Sequence, residues 1–560
     1  MNDRRLWLAL ALIIAIAYVP TFLSKKPPPK PAAGAVARDS LPAAVPAAAL
    51  VPSVPAEAAR APVQAAVVRE DTVVIRSGLY RYGISTRGGR VVSSRFLHYV
   101  SLGASDHRDT LELLGPGNGL LANTLVAGSD TLRLDEVAFT ASADSLNATN
   151  APATLTLHGR TGAYAVDLSY VFSPLDYHIT ATGRVTGLGP TGGTLLIGLG
   201  DGFRNTESDT SDNNRQSGIA TKLEKTNLTL FMKLAPRVVT TMSGPFEWVA
   251  VKSKYFVAGL FAFDSTGQAV KGNIGGVRAV PADTLNHPTR AQVAASLSVP
   301  ADGSFHWSLY LGPMEYDRLH RMGREFDDVN PYGWSWLRPV IRPIAVVIRT
   351  IFVWMHSVLG LGYGLVIVVF GLLVRILLWP LSRVAMRSMA RMQAVQPLIT
   401  AIQERHKDNP QLLQQETFKL YKEHKVNPFG GCWPMLLPYP LLVAVFFVLQ
   451  AAIEVRGQTF LWLPDLSRAD PLYIIPVLMA VSMFAVSKIG QMGLPPNPQT
   501  KMMTWLMPGM MLVFFSRFAS GLNLYYTIQN LASIPQQWLV VQERMKMSAK
   551  TPIVASVKKK

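Results

Sequence analysis

Apolar and polar residues alternate between Glu70 and about Pro313. Tyr164, Val166, Leu168, Tyr170 and Phe172 alternate with Ala165, Asp167, Ser169 and Val171, and Phe305, Trp307, Leu309 and Leu311 repeat the pattern. A period of two predicts half-buried strands, with one face on a core and the other largely wet. Gly88–Gly89, Pro116–Gly119 and Gly192–Gly193 punctuate the strands as turns. Many strands with little helix predict a β-sandwich of roughly 240 residues, large but acceptable for one domain.

A different pattern flanks this region. Leu6–Leu23 carries no charge and follows Arg4 and Arg5. Such a run fits a signal peptide cleaved near the small residues Ala32–Ala37, or an uncleaved anchor; its nearly spanning length favours an anchor over residues 1–24. The Pro- and Ala-rich stretch within 25–70 reads as an extended tether. Met314–Val329 reads as a polar helix closing the β-domain, 71–330. Trp334–Val358 mixes apolar residues with Arg338, Arg342 and Arg349. A helix lying in the membrane interface over 331–360, its arginines on headgroups, suits that mixture; so does a peripheral helix packed on the soluble domain.

Five further apolar stretches follow within 361–541: Leu361–Trp379, Gly431–Ala452, Leu472–Val486, Met502–Phe518 and Leu522–Val541. Each approaches the ~20 residues that cross ~30 Å of hydrocarbon, although the third and fourth are short. With the N-terminal run they predict six spans. Arg383–Lys425 carries eight Lys or Arg, the tail within 542–560 carries six, and the Ile453–Pro471 loop carries only Arg456 and Arg468. The positive-inside rule then places both termini in the cytoplasm and the β-domain in the periplasm. Within 383–425, Met392, Val395, Leu398 and Ile402 keep helical spacing; Asp408–Asn409–Pro410 breaks it, and Leu413, Leu420 and Tyr421 resume it. This predicts a helical hairpin, kinked at Pro397.

Composition sharpens the class. Apolar residues make up 49% of the chain and charged residues 16%, too apolar for an ordinary soluble protein. The net charge of +18 suits nucleic acid, or positive-inside loops drawn to anionic lipid and ribosome surfaces. Clustering of the basic residues beside apolar runs favours the second. Cys432 is the single cysteine, so no intramolecular disulfide forms. Walker A, H-E-x-x-H and G-x-S-x-G patterns are absent, which argues against an enzyme and implies no cofactor or metal.

Three features carry candidate chemistry. Arg375 lies within an apolar run, where a charge must face water, protein or a reachable headgroup. The last span holds Gln529, Asn530, Ser533, Gln536 and Gln537, which line a hydrated cavity with Arg375 or bond helix to helix. The fifth contains Met502, Met503, Met507, Met510 and Met511, an adaptable apolar surface or ordinary lipid-facing methionine.

Several motifs then resemble one family. VRILLWPLS (Val374–Ser382), VNPFGGCWPMLLPYPLL (Val426–Leu442), FLWLPDLSRADPLYIIPVLMAV (Phe460–Val481) and SGLNLYYTIQN (Ser520–Asn530) are similar, in order and interval, to the membrane core of YidC/Oxa-type membrane protein insertases. EWVAVKSKYFVAGLF (Glu247–Phe261) and YLGP (Tyr310–Pro313) resemble the periplasmic domain of Gram-negative YidC members. The resemblance implies a membrane insertase and chaperone of the bacterial inner membrane, working alone or with the Sec translocon on nascent inner-membrane proteins. Five of the six spans would form its core around a groove open to cytoplasm and lipid. It implies that Arg375 lies in the groove, that the apolar segment of the substrate slides along the third and fifth spans, and that Tyr525 and Tyr526 meet it; Gln529, Asn530 and Ser533 are then candidates for the groove lining, and Met503, Met507 and Met510 for the sliding surface. Arg387, Arg391, Arg405, Lys407, Lys419 and Lys422 would make the hairpin a landing site for ribosomes or ribosome-bound chains, beside anionic lipids. Some members carry a threonine four residues before the arginine; here Gly371 stands there. A small-anion or lipid transporter is the competing reading of an intramembrane arginine, although no inverted repeat of broken spans is visible.

Overall fold

The computed structural model describes residues 71–103, 109–263, 274–283, 285–334, 336–380, 395, 398–407, 409–424, 438–492 and 498–550. The expected anchor and tether, Arg387, Arg391, Met392, Pro397 and the last ten residues of the tail lie outside these.

Alternation in the sequence becomes three sheets around one core. A nine-stranded sheet runs β14 (Thr226–Leu230), β13 (Gly218–Lys222), β16 (Trp248–Lys252), β17 (Phe256–Ala262), β20 (Ser304–Pro313), β11 (His178–Thr186), β10 (Tyr164–Phe172), β9 (Ala153–Thr161), β7 (Phe139–Ala141). A six-stranded sheet runs β15 (Thr240–Phe246), β18 (Ile274–Pro281), β19 (Ala291–Val299), β12 (Gly193–Gly198), β5 (Thr124–Ala127), β6 (Asp130–Arg133). A five-stranded sheet runs β4 (Thr110–Glu112), β3 (Val91–Val100), β2 (Tyr80–Ser85), β1 (Thr72–Arg76), β8 (Ser145–Asn147). Tyr82 on β2 donates its hydroxyl to the Leu311 carbonyl on β20 at 2.6 Å, and Phe96 on β3 stacks on Phe256 of β17 at 5.6 Å. These contacts join two sheets into the shared core, which also takes Leu195, Ile197, Val277 and Val293 from the third.

β10 obeys the predicted period: Val166, Leu168, Tyr170 and Phe172 are buried and Asp167 is exposed. β20 departs from it, because every residue from Trp307 to Pro313 is buried. Its second face is covered by Phe326, whose ring meets Tyr310 at 6.0 Å, Trp248 at 5.1 Å and Phe261 at 4.8 Å. The expected polar helix Met314–Val329 is likewise two pieces, Tyr316–Arg321 and a 3-10 turn at Phe326–Val329. Gly323, Arg324 and Glu325 between them all take positive φ, which breaks the helix and swings Phe326 onto the sheet.

The helices are α1 (Thr210–Gln216), α2 (Tyr316–Arg321), α3 (Arg338–Leu359), α4 (Tyr363–Leu377), α5 (Pro410–Glu423), α6 (Pro438–Ala451), α7 (Ile474–Gly490), α8 (Pro498–Phe515) and α9 (Ser520–Lys550). A further helical stretch covers 398–405. α4 and α6 to α9 fall on the five apolar runs of the sequence. By length and composition α3 is the one described helix able to cross a membrane, and four of the others are shorter apolar helices. α3, α4, α6, α7 and α9 share a second core with the 453–471 loop. Among the described residues of the expected hairpin, Asn409 caps α5 by accepting from the Leu412 amide at 3.1 Å, and Leu420 packs with Val395 and Ile399.

The arginines of α3 pair with carboxylates of the protein itself. Arg349 is buried, bidentate to Asp317 at 3.0–3.1 Å and 2.8 Å from Glu454 through Nε. Arg342 pairs with Asp327 at 2.6 Å. Guanidinium groups placed beside carboxylates gain more from paired hydrogen bonds than from headgroups at the end of a flexible stem. In the 453–471 loop, Arg456 places Nε 2.9 Å from both Glu207 oxygens, and its Nη atoms donate to the Val100 and Thr206 carbonyls at 3.0 and 3.2 Å. The loop is thereby fastened to the β-domain.

Removing one partner of a buried pair strands the other's charge, at roughly 3–5 kcal/mol. Arg456→Met is therefore expected to expose the 453–471 loop to amide exchange and to lower the thermal midpoint of the purified protein; unchanged exchange there would show that the clamp is dispensable. Lys252 adds a pH dependence. It is buried on β16, 3.4 Å from Asn330 Oδ1, and burial pushes its ammonium down to about 8 from the ordinary 10.5. Between those values the unfolded chain holds a proton that the folded chain has released, so stability rises with pH across that window. Lys252→Met should raise the midpoint at pH 7 and lose most of that advantage by pH 10.5.

Candidate functional site

Close helix contacts in the second core begin at glycine. Gly360, at positive φ, ends α3, and Gly362 caps α4. A Cβ on Gly364 would lie 2.1 Å from the Phe460 ring, so that glycine lets the 453–471 loop sit on the start of α4. Two turns on, a Cβ on Gly371 would meet Ile528 of α9 at 3.1 Å. α4 and α9 therefore touch backbone to side chain, and Gln529 Nε2 donates to the Gly371 carbonyl at 2.8 Å. A threonine at this place would crowd Ile528.

Arg375 lies one turn beyond Gly371 on α4, in the helix's last turn. It is half-buried, its Nε is buried without a hydrogen-bond partner, and no carboxylate among the described residues pairs with it. Ile376 and Leu377 beside it are exposed. Tyr525 is buried on the facing side of α9, its ring 6.3 Å from Phe370 and 6.1 Å from Tyr526.

The other polar residues of α9 divide between two neighbours. Asn530 Nδ2 turns to α7, 3.2 Å from Ser482 Oγ and 3.4 Å from the Met479 carbonyl. Ser533 donates to the Asn530 carbonyl of its own helix at 2.6 Å. Gln536 is buried, and neither amide atom has a hydrogen-bond partner. The structure thus brings Arg375, Gln529 and Tyr525 to one α4–α9 contact, while Asn530 and Ser533 serve other bonds. Helix bonding accounts for Gln529 and Asn530, and open polar capacity remains at Arg375 and Gln536.

The methionines stand apart from Arg375. Met503 and Met510 are exposed on α8, Met507 is half-buried, and Tyr526 reaches this helix through Phe515 at 5.1 Å. Arg405, Lys407, Lys419 and Lys422 are exposed on the hairpin. Sequence reasoning passed over Ser482, the partner of Asn530, and Glu207, Asp317 and Glu454, which hold the domain junction. Acidic side chains that lie 32 to 249 residues from their arginines carry no local signal.

Gly371→Leu should force α4 from α9, break the Gln529 bond and destabilise by about 1–3 kcal/mol. Gly371→Ala needs only a few tenths of an ångström and should stay near the wild-type thermal midpoint; equal midpoints for both would remove the close-approach role.

Comparison with known proteins agrees with this architecture. Residues 72–346 match the family described as YidC periplasmic domain, and residues 354–549 match the 60Kd inner membrane protein family. The chain is 30% identical to the membrane protein insertase YidC of Chlorobaculum tepidum, over 99% of this chain and 98% of that relative. It is 33% identical to the YidC of Chloroherpeton thalassium over 86% and 84%. A crystal structure of an active YidC insertase with its first transmembrane domain resolved aligns with 84% of this chain and 94% of its own, at 18% identity and a TM-score of 0.33. The chain belongs to the YidC family of membrane protein insertases, inner-membrane proteins built from a β-rich periplasmic domain and a helical C-terminal region.

Proposed function

We propose that the protein inserts and folds nascent inner-membrane proteins, alone or beside the Sec translocon, through a hydrated groove open to cytoplasm and lipid. The observation that carries this reading is Arg375, a half-buried guanidinium at the end of α4 with no carboxylate partner among the described residues. A polar segment crossing hydrocarbon loses water from its backbone and charges, which costs several kcal/mol for each unsatisfied group. A wet groove that reaches part-way shortens the dry path, and Arg375 draws in acidic residues transiently. Release of the apolar segment into lipid is downhill, so no nucleotide is required.

In this reading Gln529, Asn530 and Ser533 line the groove, and the open amide of Gln536 belongs with them. Tyr525 and Tyr526 meet the substrate, and the exposed Met503 and Met510, with Met507, give its apolar segment an adaptable surface. Arg405, Lys407, Lys419 and Lys422, with Arg387 and Arg391, present positive charge to ribosomes or ribosome-bound chains and to anionic lipids. Both termini lie in the cytoplasm.

Insertion of a short phage-coat-like substrate into proteoliposomes holding only this protein tests the reading. Wild type should insert without nucleotide, Arg375→Lys should keep most of that activity, and Arg375→Ala should lose at least about tenfold, the scale of one ~1.4 kcal/mol contact. Failure of well-folded wild type would favour a transport role. Equal activity in all three would keep insertion and remove Arg375 from it.

A further inference from the structure

The β-domain contains a cavity of about 1290 Å³ that the insertion reading leaves unused. Its floor is one face of the six-stranded sheet, with Arg278 from β18, Gln292 and Ala294 from β19, Gly198 from β12 and Thr124 from β5. Register sets Arg278 beside Ala294 and Ala294 beside Gly198, so the guanidinium faces a strip of small residues where a ligand can approach the backbone. Two loops, 115–119 and 200–205, form the wall. Asn118 ties them together, donating to the Gly202 carbonyl at 2.6 Å and accepting from the Asp201 amide at 3.5 Å. Positive φ at Gly200 and Gly202 bends that wall.

The lining is cationic and rich in hydrogen-bonding groups. Arg90, Arg133, Arg204, Arg278 and Arg290 stand against Asp135 and Asp201. Arg133 pairs with Asp135 at 3.4 Å and Arg290 with Asp201 at 3.1 Å. Arg278 is half-buried and pairs with no carboxylate among the described residues. A fixed guanidinium fork suits a carboxylate or phosphate. Asn214 and Gln292 add amides, the Thr289 hydroxyl can accept while it donates to Asp283, and half-buried Phe203 supplies a ring face. Leu196, Val280 and Pro281 add apolar surface, but the arginines set among them disfavour an unfolded apolar segment, which would cover their charge without pairing it. Guanidinium and amide groups around one ring suit a polyhydroxylated ligand. The volume exceeds the ~300–1,000 Å³ of a small-molecule site, leaving room for several sugar rings.

We propose that this cavity binds an acidic oligosaccharide, with a carboxylate on Arg278 and hydroxyls on the amide and hydroxyl lining. The test is calorimetric titration of the full-length protein in detergent with trigalacturonate, maltotriose, inorganic phosphate and hexaglutamate. Trigalacturonate should bind one to one, at least tenfold tighter than the other three. Arg278→Gln should weaken it at least tenfold and Arg290→Gln, on the rim, about threefold. Absence of saturable trigalacturonate binding overturns the proposal, as does equal binding by Arg278→Gln or a match by phosphate or hexaglutamate. Should Arg278→Gln lower the thermal midpoint, Arg290→Gln decides alone, and wild-type affinity in that variant overturns the proposal.

Discussion

A guanidinium removed from water needs acceptors close by, and the junction between the β-domain and the helices is arranged to supply them. Arg349 receives Asp317 and Glu454, and Arg456 receives Glu207 and two backbone carbonyls. Each cluster crosses a boundary between elements: α3 to α2 and the end of α6, or the 453–471 loop to the β-domain. Such pairs add little net stability compared with apolar packing, because desolvation offsets most of the attraction. Their effect is to make one relative placement of the parts much better than a slipped one. Asn330 extends the same logic with neutral groups, facing Lys252 of β16 and donating to the Ala451 carbonyl at the end of α6.

Much of this architecture is legible in the sequence, and the exceptions share one cause. Period-two alternation finds β10, and apolar runs find α4 and α6 to α9, because each is a local consequence of burying one face. The hairpin is legible too, through Asn409 and Pro410. β20 is misjudged because its second face is covered by Phe326, a residue outside the strand. The polar helix fails because consecutive positive φ angles at Gly323, Arg324 and Glu325 are imposed by that same packing. The carboxylate partners of the α3 arginines are not legible because they lie up to 105 residues away, so the sequence leaves an interfacial and a packed helix both open. At the candidate site, Arg375 stands out as a charge in an apolar run, but its contact with α9 through Gly371 is a matter of a missing side chain.

The distribution of satisfied and unsatisfied polar groups along α4 and α9 then gives the helical region a direction. Near the start of both helices the 453–471 loop closes over them. Asp465 accepts from Gly457 and Ser467, Asp470 accepts from the Leu472 and Ile475 amides, and Ser520 and Gly521 at the head of α9 donate back to the Arg468 and Leu466 carbonyls. Leu463 and Leu466 fill the space beneath. The loop at that end bonds most of its own polar groups, although Asn523 Oδ1 is buried without a partner, so admitting a polar chain there would break bonds already made. At the other end Arg375 Nε and the Gln536 amide remain buried without partners. Buried polar groups are costly to leave unsatisfied, so these atoms favour water or a polar guest. The two ends of one helix pair therefore differ in their polar groups. Under the insertion proposed above, a polar segment entering at Arg375 would meet the loop as a wall, and its apolar neighbour would leave at least polar cost sideways, between helices and into lipid.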